Sequence, residues 1–417
     1  MSAGALAVEP LAVRLDATVV LPGSKSLTNR ALVAASLADG TSRLEGALVA
    51  DDTEAMVEGV RALGADVAVD AEALVVTGGP RPDGPVAVDA RLSGTTARFL
   101  LPVLALGPGP ASLDGGPPLR SRPMGPLLDA LRSRGASVEG DALPVTVRGP
   151  LQGGTVRLAG DVSSQFLSGL LLAAPRVDGG LRVELTTPLV SAPYVTMTAA
   201  VMRTFGVEVE EQDDGWVVAE QRYRPTTYEV EPDASAASYF FAAAVLTGGR
   251  VTVPGLGRGS VQGDLAFVDA LERMGAAVER GTDRTTVAAG ERLTGVDVDL
   301  SALSDMAQTL AAVAVFADSP TRVRGIGFVR GKETDRLAAV VRELRRVGVQ
   351  AEETDDGFVV HPGSPQPAVI STYDDHRMAM SFALLGLRVP GIAIADPGCV
   401  AKTFPGYWDA LDRLRHG

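Results

Sequence analysis

Lysine is almost missing from this chain. Of its 38 basic residues, only positions 25, 332 and 402 are lysine; the rest are arginine. Cysteine is rarer still, and Cys399 alone excludes an internal disulfide framework. Three histidines, at 361, 376 and 416, make no zinc-type cluster, so no metal is expected. Aromatic residues form 5% of the chain, against 47 glycines and 27 prolines, which points to small-residue packing with many turns. The longest apolar runs, "FLLPVLAL" (99–106) and "LAAVAVFA" (310–317), fall well short of the roughly 18–20 residues of a membrane helix, so no membrane span is expected. The start, "MSAGALAVEPLAVRLD", lacks a basic segment followed by a continuous apolar one, and no signal peptide is expected. Positive charge is also in short supply: a net charge of −13 argues against a broad nucleic-acid or anionic-membrane surface. A reducing, cytoplasmic setting follows from these absences.

The 417 residues leave room for two or three domains, and they contain an internal repeat. Six amphipathic segments stop at glycine: "VEGVRALGADVAV" (57–69), "LLDALRSRGASVEG" (127–140), "AAVMRTFGVEVEE" (199–211), "FVDALERMGAAVER" (267–280), "VVRELRRVGVQAEE" (340–353) and "YWDALDRLRHG" (407–417). The stop glycines, Gly64, Gly135, Gly206, Gly275, Gly348 and Gly417, recur every 69 to 73 residues. One glycine at a helix end means little; six at a near-constant period of about 70 define a repeat. A second, Ala-rich helix recurs in the same frame, beginning near residues 26, 95, 163, 234, 306 and 376. Because these helices are apolar on most of their circumference, they are expected to be buried, with mixed sheets outside them. The expected class is therefore α/β, with six repeats of about 70 residues.

A solenoid scaffold is the plain reading of such a repeat, but the charges at the helix starts point elsewhere. The helix dipole disfavours a cation at an N-terminus by about 0.3–1 kcal/mol. Here Lys25 sits at the first Ala-rich helix, Arg122 stands before Pro123 as a first helical residue, and Lys332 precedes the run Leu337, Val340, Val341, Leu344. His376 and Arg377 open another helix, and Lys402 lies ahead of the last. Gly94 and Thr95, Ser163, Ser164 and Gln165, and Asp305 occupy similar positions. Free N–H groups and cations together make anion sites, so convergence of these ends implies a ligand with several negative charges. An ammonium is a compact point charge on a slim stem and can change protonation state when partly buried; a guanidinium cannot. The three retained lysines are accordingly expected beside reacting groups.

In order along the chain stand "LPGSKSLTNRAL", "SGTTARF", "RSRPM", "SSQFLSGLL", "SAPYVTMT", "EPDASAASYF", "DMAQTLA", "GKETDR", "DDHRMAM" and "AKTFPGY". Over essentially its whole length the sequence resembles the EPSP synthase family, with "PGSKSxxNR" and "KETDR" the most specific matches. The resemblance implies an inside-out α/β barrel of two similar domains with three repeats each, one near 21–231 and the other at 1–20 plus 232–417. It implies transfer of the enolpyruvyl group of phosphoenolpyruvate to the 5-hydroxyl of shikimate 3-phosphate, without metal or organic cofactor. By motif position, Lys25, Ser26, Arg30, Ser163, Ser164, Gln165, Ser191, Asp305 and Lys332 are implied to bind shikimate 3-phosphate, with Tyr194 nearby. Lys25, Gly94, Arg122, Gln165, Arg336, Arg377 and Lys402 are implied to bind phosphoenolpyruvate. Asp305 is implied as base toward the 5-hydroxyl and Glu333 as the acid that protonates the methylene carbon, with Lys25 as a further catalytic group. A plain N-cap role for Asp305 and a first-turn, dipole-complementing role for Glu333 are the alternatives.

Leu92, Phe99 and Phe328 depart from the family's common pattern, which bears on fine geometry rather than on the reaction. Two like charges about 6 Å apart at an effective dielectric near 20 repel by roughly 3 kcal/mol, so the cation sets of the two domains are expected to separate without anions and close on a dianionic substrate. Rival readings are the sister transferase acting on UDP-N-acetylglucosamine, which relies on a loop cysteine where this chain has "LRSRPMG", and a non-catalytic repeat scaffold. A monomer with small-molecule partners only is expected.

Overall fold

The computed structural model describes residues 4–12, 14–70, 73–79 and 84–415. The chain divides into two compact units, Gly23–Glu231 and Met1–Pro22 with Pro232–Gly417. Each unit is built on three Ala-rich helices that pack against one another. In the first these are Lys25–Ser36, Gly94–Leu104 and Ser164–Ala173; in the second, Ala234–Thr247, Ala307–Ala314 and His376–Gly386.

Alanine favours helix intrinsically, and five of the six helices have a side-chain cap. Ser24, Ser93, Ser163, Asp233 and Asp375 accept from the N–H of Leu27, Thr96, Gln165, Ala236 and Arg377 respectively. Small side chains then let the helices approach closely. A Cβ on Gly169 would lie 2.3 Å from the Arg98 carbonyl, so glycine is required where helix Ser164–Ala173 crosses Gly94–Leu104. Pro102, inside the latter helix, has no N–H to offer that carbonyl. All eleven residues of His376–Gly386 and all eight of Ala307–Ala314 are buried.

The amphipathic helices cover this centre. Arg336–Arg346 buries Leu337, Val340, Val341 and Leu344, and turns Arg345 and Arg346 outward. Gly64, Gly135, Gly206, Gly275 and Gly348 follow five such helices with φ between 80° and 109°, the left-handed conformation that ends a helix without a Cβ clash. Gly417, the sixth expected stop, lies outside the described residues, as does His416.

Six open sheets complete the described structure, five with four strands and one with three. In one, Val86–Asp89 pairs in parallel with Ala111–Asp114 across helix Gly94–Leu104; Val145–Arg148 then adds antiparallel, with Ser137–Glu139 outermost. Two sheets take their parallel lead strand from far along the chain: Thr227–Glu229 beside Thr41–Glu45, and Asp16–Thr18 beside Arg250–Pro254. The three-stranded sheet joins Leu6–Ala7, Ile392–Ile394 and Ala368–Ile370. Burial alternates along the strands, as in Thr41–Glu45, where Ser42 and Leu44 are inside. The chain is thus of mixed α/β class. The barrel expected from the sequence is corrected in one respect: among the described residues each sheet ends in two unpaired edges, so none closes on itself. No described helix is long and apolar enough to cross a membrane.

Candidate active site

In the unit containing Pro232–Gly417, six of the residues singled out from the sequence meet in one network. Asp305 lies in a short 3₁₀ turn, Ser304–Met306, ahead of a buried helix. Its Oδ1 accepts from Arg336 Nη1 and its Oδ2 from Arg377 Nη2, both at 2.8 Å, and Lys332 Nζ stands 3.9 Å from Oδ1. Glu333 accepts from Arg336 Nη2 at 2.8 Å and lies 3.6 Å from Lys402 Nζ. Arg336 is 3% exposed and occupies the first position of its helix. Its Nε donates to Asp375 Oδ2 at 2.7 Å. Asp375 also caps the helix that begins at His376. His376 Nδ1 is 3.7 Å from Asp375 Oδ1.

Burial alone would raise the Asp305 carboxyl. The Arg377 guanidinium, the Lys332 ammonium and the Arg336 guanidinium overcome it and hold the group well below the usual carboxylate range. Three carboxylates interleaved with four cations satisfy one another, which is what allows so many charges to be buried. Among the described residues, no group of three or more His, Cys, Asp or Glu is arranged to hold a metal ion.

Neither Asp305 nor Glu333 takes the capping or first-turn place that the sequence left as an alternative. The cap position of helix Ala307–Ala314 is Met306, with no side-chain bond, and Asp305 points its oxygens at arginines instead. Asp335 caps helix Arg336–Arg346, so Glu333 lies outside the first turn and meets Arg336 and Lys402. Near Arg377, burial pushes the Tyr239 phenol up to about 12, and its oxygen is 3.5 Å from Arg377 Nη1. Burial, and then Asp396, also push the Cys399 thiol up to about 12, leaving it a poor nucleophile at neutral pH.

In the unit Gly23–Glu231 the expected residues stand in smaller groups, several of them at the starts of its buried helices. Gln165 accepts from Arg98 Nη1 at 2.7 Å and donates to Thr95 Oγ1 at 3.2 Å. A Cβ on Gly94 would lie 3.0 Å from Arg122 Nη1, 3.4 Å from Arg98 Nη1 and 3.8 Å from Gln165 Oε1, so Gly94, Arg122 and Gln165 converge. Ser163 caps this helix and Ser164 is buried at its first position. Arg30 donates to Thr198 Oγ1 at 2.7 Å, to the Ser26 carbonyl at 2.8 Å and to the Tyr194 carbonyl at 3.0 Å, with its guanidinium 5.0 Å from the Phe99 ring centre. Lys25 opens its helix and pairs with Asp52 at 3.2 Å. Ser191 is buried with φ 53° in the turn before helix Pro193–Thr204, an uncommon conformation for a residue with a Cβ. The sequence placed Pro123 at a helix start; the helix is Gly125–Ser133 and its early proline is Pro126, so Arg122 lies in the connecting turn.

Sequence reasoning passed over Asp375, Asp52 and Arg98. An acid directly before a helix start, as in "DDHRMAM", is a cap signal that identifies Asp375 as an N-cap, but nothing local announces its second partner 39 residues away.

Comparison with known proteins settles the family. The profile described as EPSP synthase (3-phosphoshikimate 1-carboxyvinyltransferase) matches residues 11–411. The 3-phosphoshikimate 1-carboxyvinyltransferase of Nostoc punctiforme is 48% identical, with 94% of this chain and 95% of that one covered. The chain belongs to the EPSP synthase family. The protein of the same name from Trichormus variabilis is 46% identical over 98% of this chain and 99% of its own. Membership of the EPSP synthase family makes this a transferase of the shikimate pathway that moves an enolpyruvyl group. Among solved structures, an EPSP synthase from Acinetobacter baumannii superimposes with a TM-score of 0.83, covering 98% of this chain and 97% of that one at 24% identity. An enolpyruvyl transferase from Streptomyces tendae gives a TM-score of 0.80 with the same coverage at 22% identity. At these identities the likeness concerns the fold, which EPSP synthases share with that transferase.

Proposed function

We propose that this enzyme joins the enolpyruvyl group of phosphoenolpyruvate to the 5-hydroxyl of shikimate 3-phosphate and releases phosphate; its relatives are named 3-phosphoshikimate 1-carboxyvinyltransferase. One observation carries the assignment of roles: Asp305 and Glu333, two carboxyl groups of one buried network, share Arg336 between them. Addition across the enol double bond requires a proton to leave the 5-hydroxyl and a proton to reach the methylene carbon; elimination of phosphate then returns a proton from the resulting methyl group. Two differently placed carboxyl groups suit these transfers, Asp305 toward the hydroxyl and Glu333 toward the carbon. Arg336, Arg377 and Lys402 hold phosphoenolpyruvate, and Lys332 steadies Asp305.

By motif position, Gly94, Arg122 and Gln165 are assigned to phosphoenolpyruvate, and Ser26, Arg30, Ser163, Ser164 and Ser191 to shikimate 3-phosphate. Lys25, which pairs with Asp52 at 3.2 Å, is assigned to both ligands. Arg336 and Arg377 each already hold Asp305, so a substrate carboxylate or phosphate competes with Asp305 for them. Binding therefore loosens the hold on Asp305 and raises its proton affinity toward that of a working base.

In this reading the two units are two domains of three repeats each; five of the six sheets share one four-strand order and the sixth has three strands. The enzyme acts as a cytoplasmic monomer on small molecules, with no cofactor, nucleic acid or membrane partner. Release of inorganic phosphate from phosphoenolpyruvate only when shikimate 3-phosphate is present tests the assignment; release with UDP-N-acetylglucosamine instead overturns it.

A further inference from the structure

Helix Arg336–Arg346 carries one carboxylate, which the reaction does not use. Glu343 lies two turns beyond Arg336 and is 0% exposed. Its Oε2 accepts from the Ser371 N–H at 3.0 Å and from Arg346 Nε at 2.8 Å, and its Oε1 accepts from the Tyr373 hydroxyl at 2.5 Å. A carboxylate is costly to bury, and here three donors converge on one.

What it holds is a turn that the local sequence does not favour. Tyr373 and Asp374 both have φ 56°, two consecutive non-glycine residues in the left-handed region, and only two other described non-glycine residues, Arg91 and Ser191, have positive φ. Such a conformation persists where surrounding contacts impose it. The next residue is Asp375, which grips Arg336 and caps the following helix; two residues further, Arg377 reaches Asp305. One helix therefore holds the turn at two points, through Arg336 at its start and Glu343 two turns later. Burial, and then the hydrogen bond to Glu343, keep the Tyr373 phenol above the ordinary tyrosine range, so it remains a donor.

We propose that Glu343 and Tyr373 are positioning residues: their hydrogen bond fixes the 371–375 turn in the form that presents Asp375 to Arg336 and Arg377 to Asp305. The inference deepens the proposed function, since it rests on Arg336 and Arg377 holding phosphoenolpyruvate.

Tyr373→Phe tests it, because the change removes one hydroxyl and keeps the ring that lies 5.6 Å from Arg342. KM for phosphoenolpyruvate should rise about five- to tenfold, with kcat and KM for shikimate 3-phosphate within about twofold of the parent. Glu343→Gln should act in the same direction, and the double variant should be no worse than the more damaged single, since Tyr373 acts through its bond to Glu343. A lower Tm with KM for phosphoenolpyruvate unchanged, or strictly additive losses, overturns the proposal. If Glu343→Gln does not fold, Tyr373→Phe alone decides. A crystal structure of Tyr373→Phe gives a readout independent of substrate. Residues 373 and 374 leaving the left-handed region, or Asp375 drawing away from Arg336, supports the proposal; an unchanged turn overturns it. A parent enzyme that releases no phosphate would refute the proposed function, and the crystal comparison would still decide this inference.

Discussion

The two units of the chain hold their cations in different ways. In Pro232–Gly417 the arginines and lysines are laced with carboxylates: Arg336 alone contacts Asp305, Glu333 and Asp375. In Gly23–Glu231 neutral oxygens figure more: Arg30 donates to a hydroxyl and two carbonyls and Arg98 to the Gln165 amide, although Lys25 there pairs with Asp52. A cation held by carboxylates is coupled to proton affinity, because whatever displaces one carboxylate changes its pKa. A cation held by neutral oxygens contributes field and geometry without that coupling. The first arrangement suits proton transfer and the second suits recognition of anions.

Substitutions can break this contrast, beginning with the reacting carboxylates. Asp305→Asn or Glu333→Gln should lower kcat by about 10²–10⁴-fold in a phosphate-release assay, with far-UV circular dichroism unchanged. Asp375→Asn should act mainly on stability. Arg336 keeps Asp305 and Glu333 as partners, so the loss is that of a charged hydrogen bond, about 1.5–3 kcal/mol, read as a lower urea midpoint. In the opposite unit, Lys25→Arg exchanges a slim ammonium for a broad guanidinium and should reduce turnover by about 10²-fold; near-normal turnover would remove the case for the retained lysines. Gly94→Ala places a methyl 3.0 Å from Arg122 Nη1. Because a flexible side-chain end can shift, stability should hold while KM for phosphoenolpyruvate rises about tenfold.

The smallest effect is a titration. Asp305 is held below its unfolded value, so its contribution to stability is complete above about pH 4, where the unfolded chain ionises, and declines as pH falls further toward the folded value. Asp305→Asn should therefore weaken the acid-induced loss of stability below about pH 4. Binding of phosphoenolpyruvate near pH 5 should be accompanied by fractional proton uptake, measured by calorimetry in buffers of different ionisation enthalpy. Proton release instead would contradict the competition drawn for Arg336 and Arg377.

Much of the helical framework was legible because it depends on local physics. Glycine after an amphipathic run announces a left-handed stop, and the five described ones adopt it. Alanine-dense segments announce burial, and the six are buried along most of their length. Pairing at a distance was not legible. The lead strand of the Thr41–Glu45 sheet comes from Thr227–Glu229, and no local pattern reveals that register. Arg122 looked like a helix opener because Pro123 suits a first turn, yet "RSRPMGP" offers two prolines and the chain uses the second. In the network, Lys332, Glu333 and Arg336 were legible from one short motif. The Asp375 contact to Arg336 and the Glu343 contacts to Ser371 and Tyr373 join residues 28 to 39 apart, and appear only when the turn between them is known.

The most direct measurement is phosphate released from phosphoenolpyruvate by the intact enzyme, offered shikimate 3-phosphate in one vessel and UDP-N-acetylglucosamine in another. Release in the first alone, abolished by Asp305→Asn, is the result expected here. Release in the second alone, or full activity in the Asp305→Asn variant, would contradict the account.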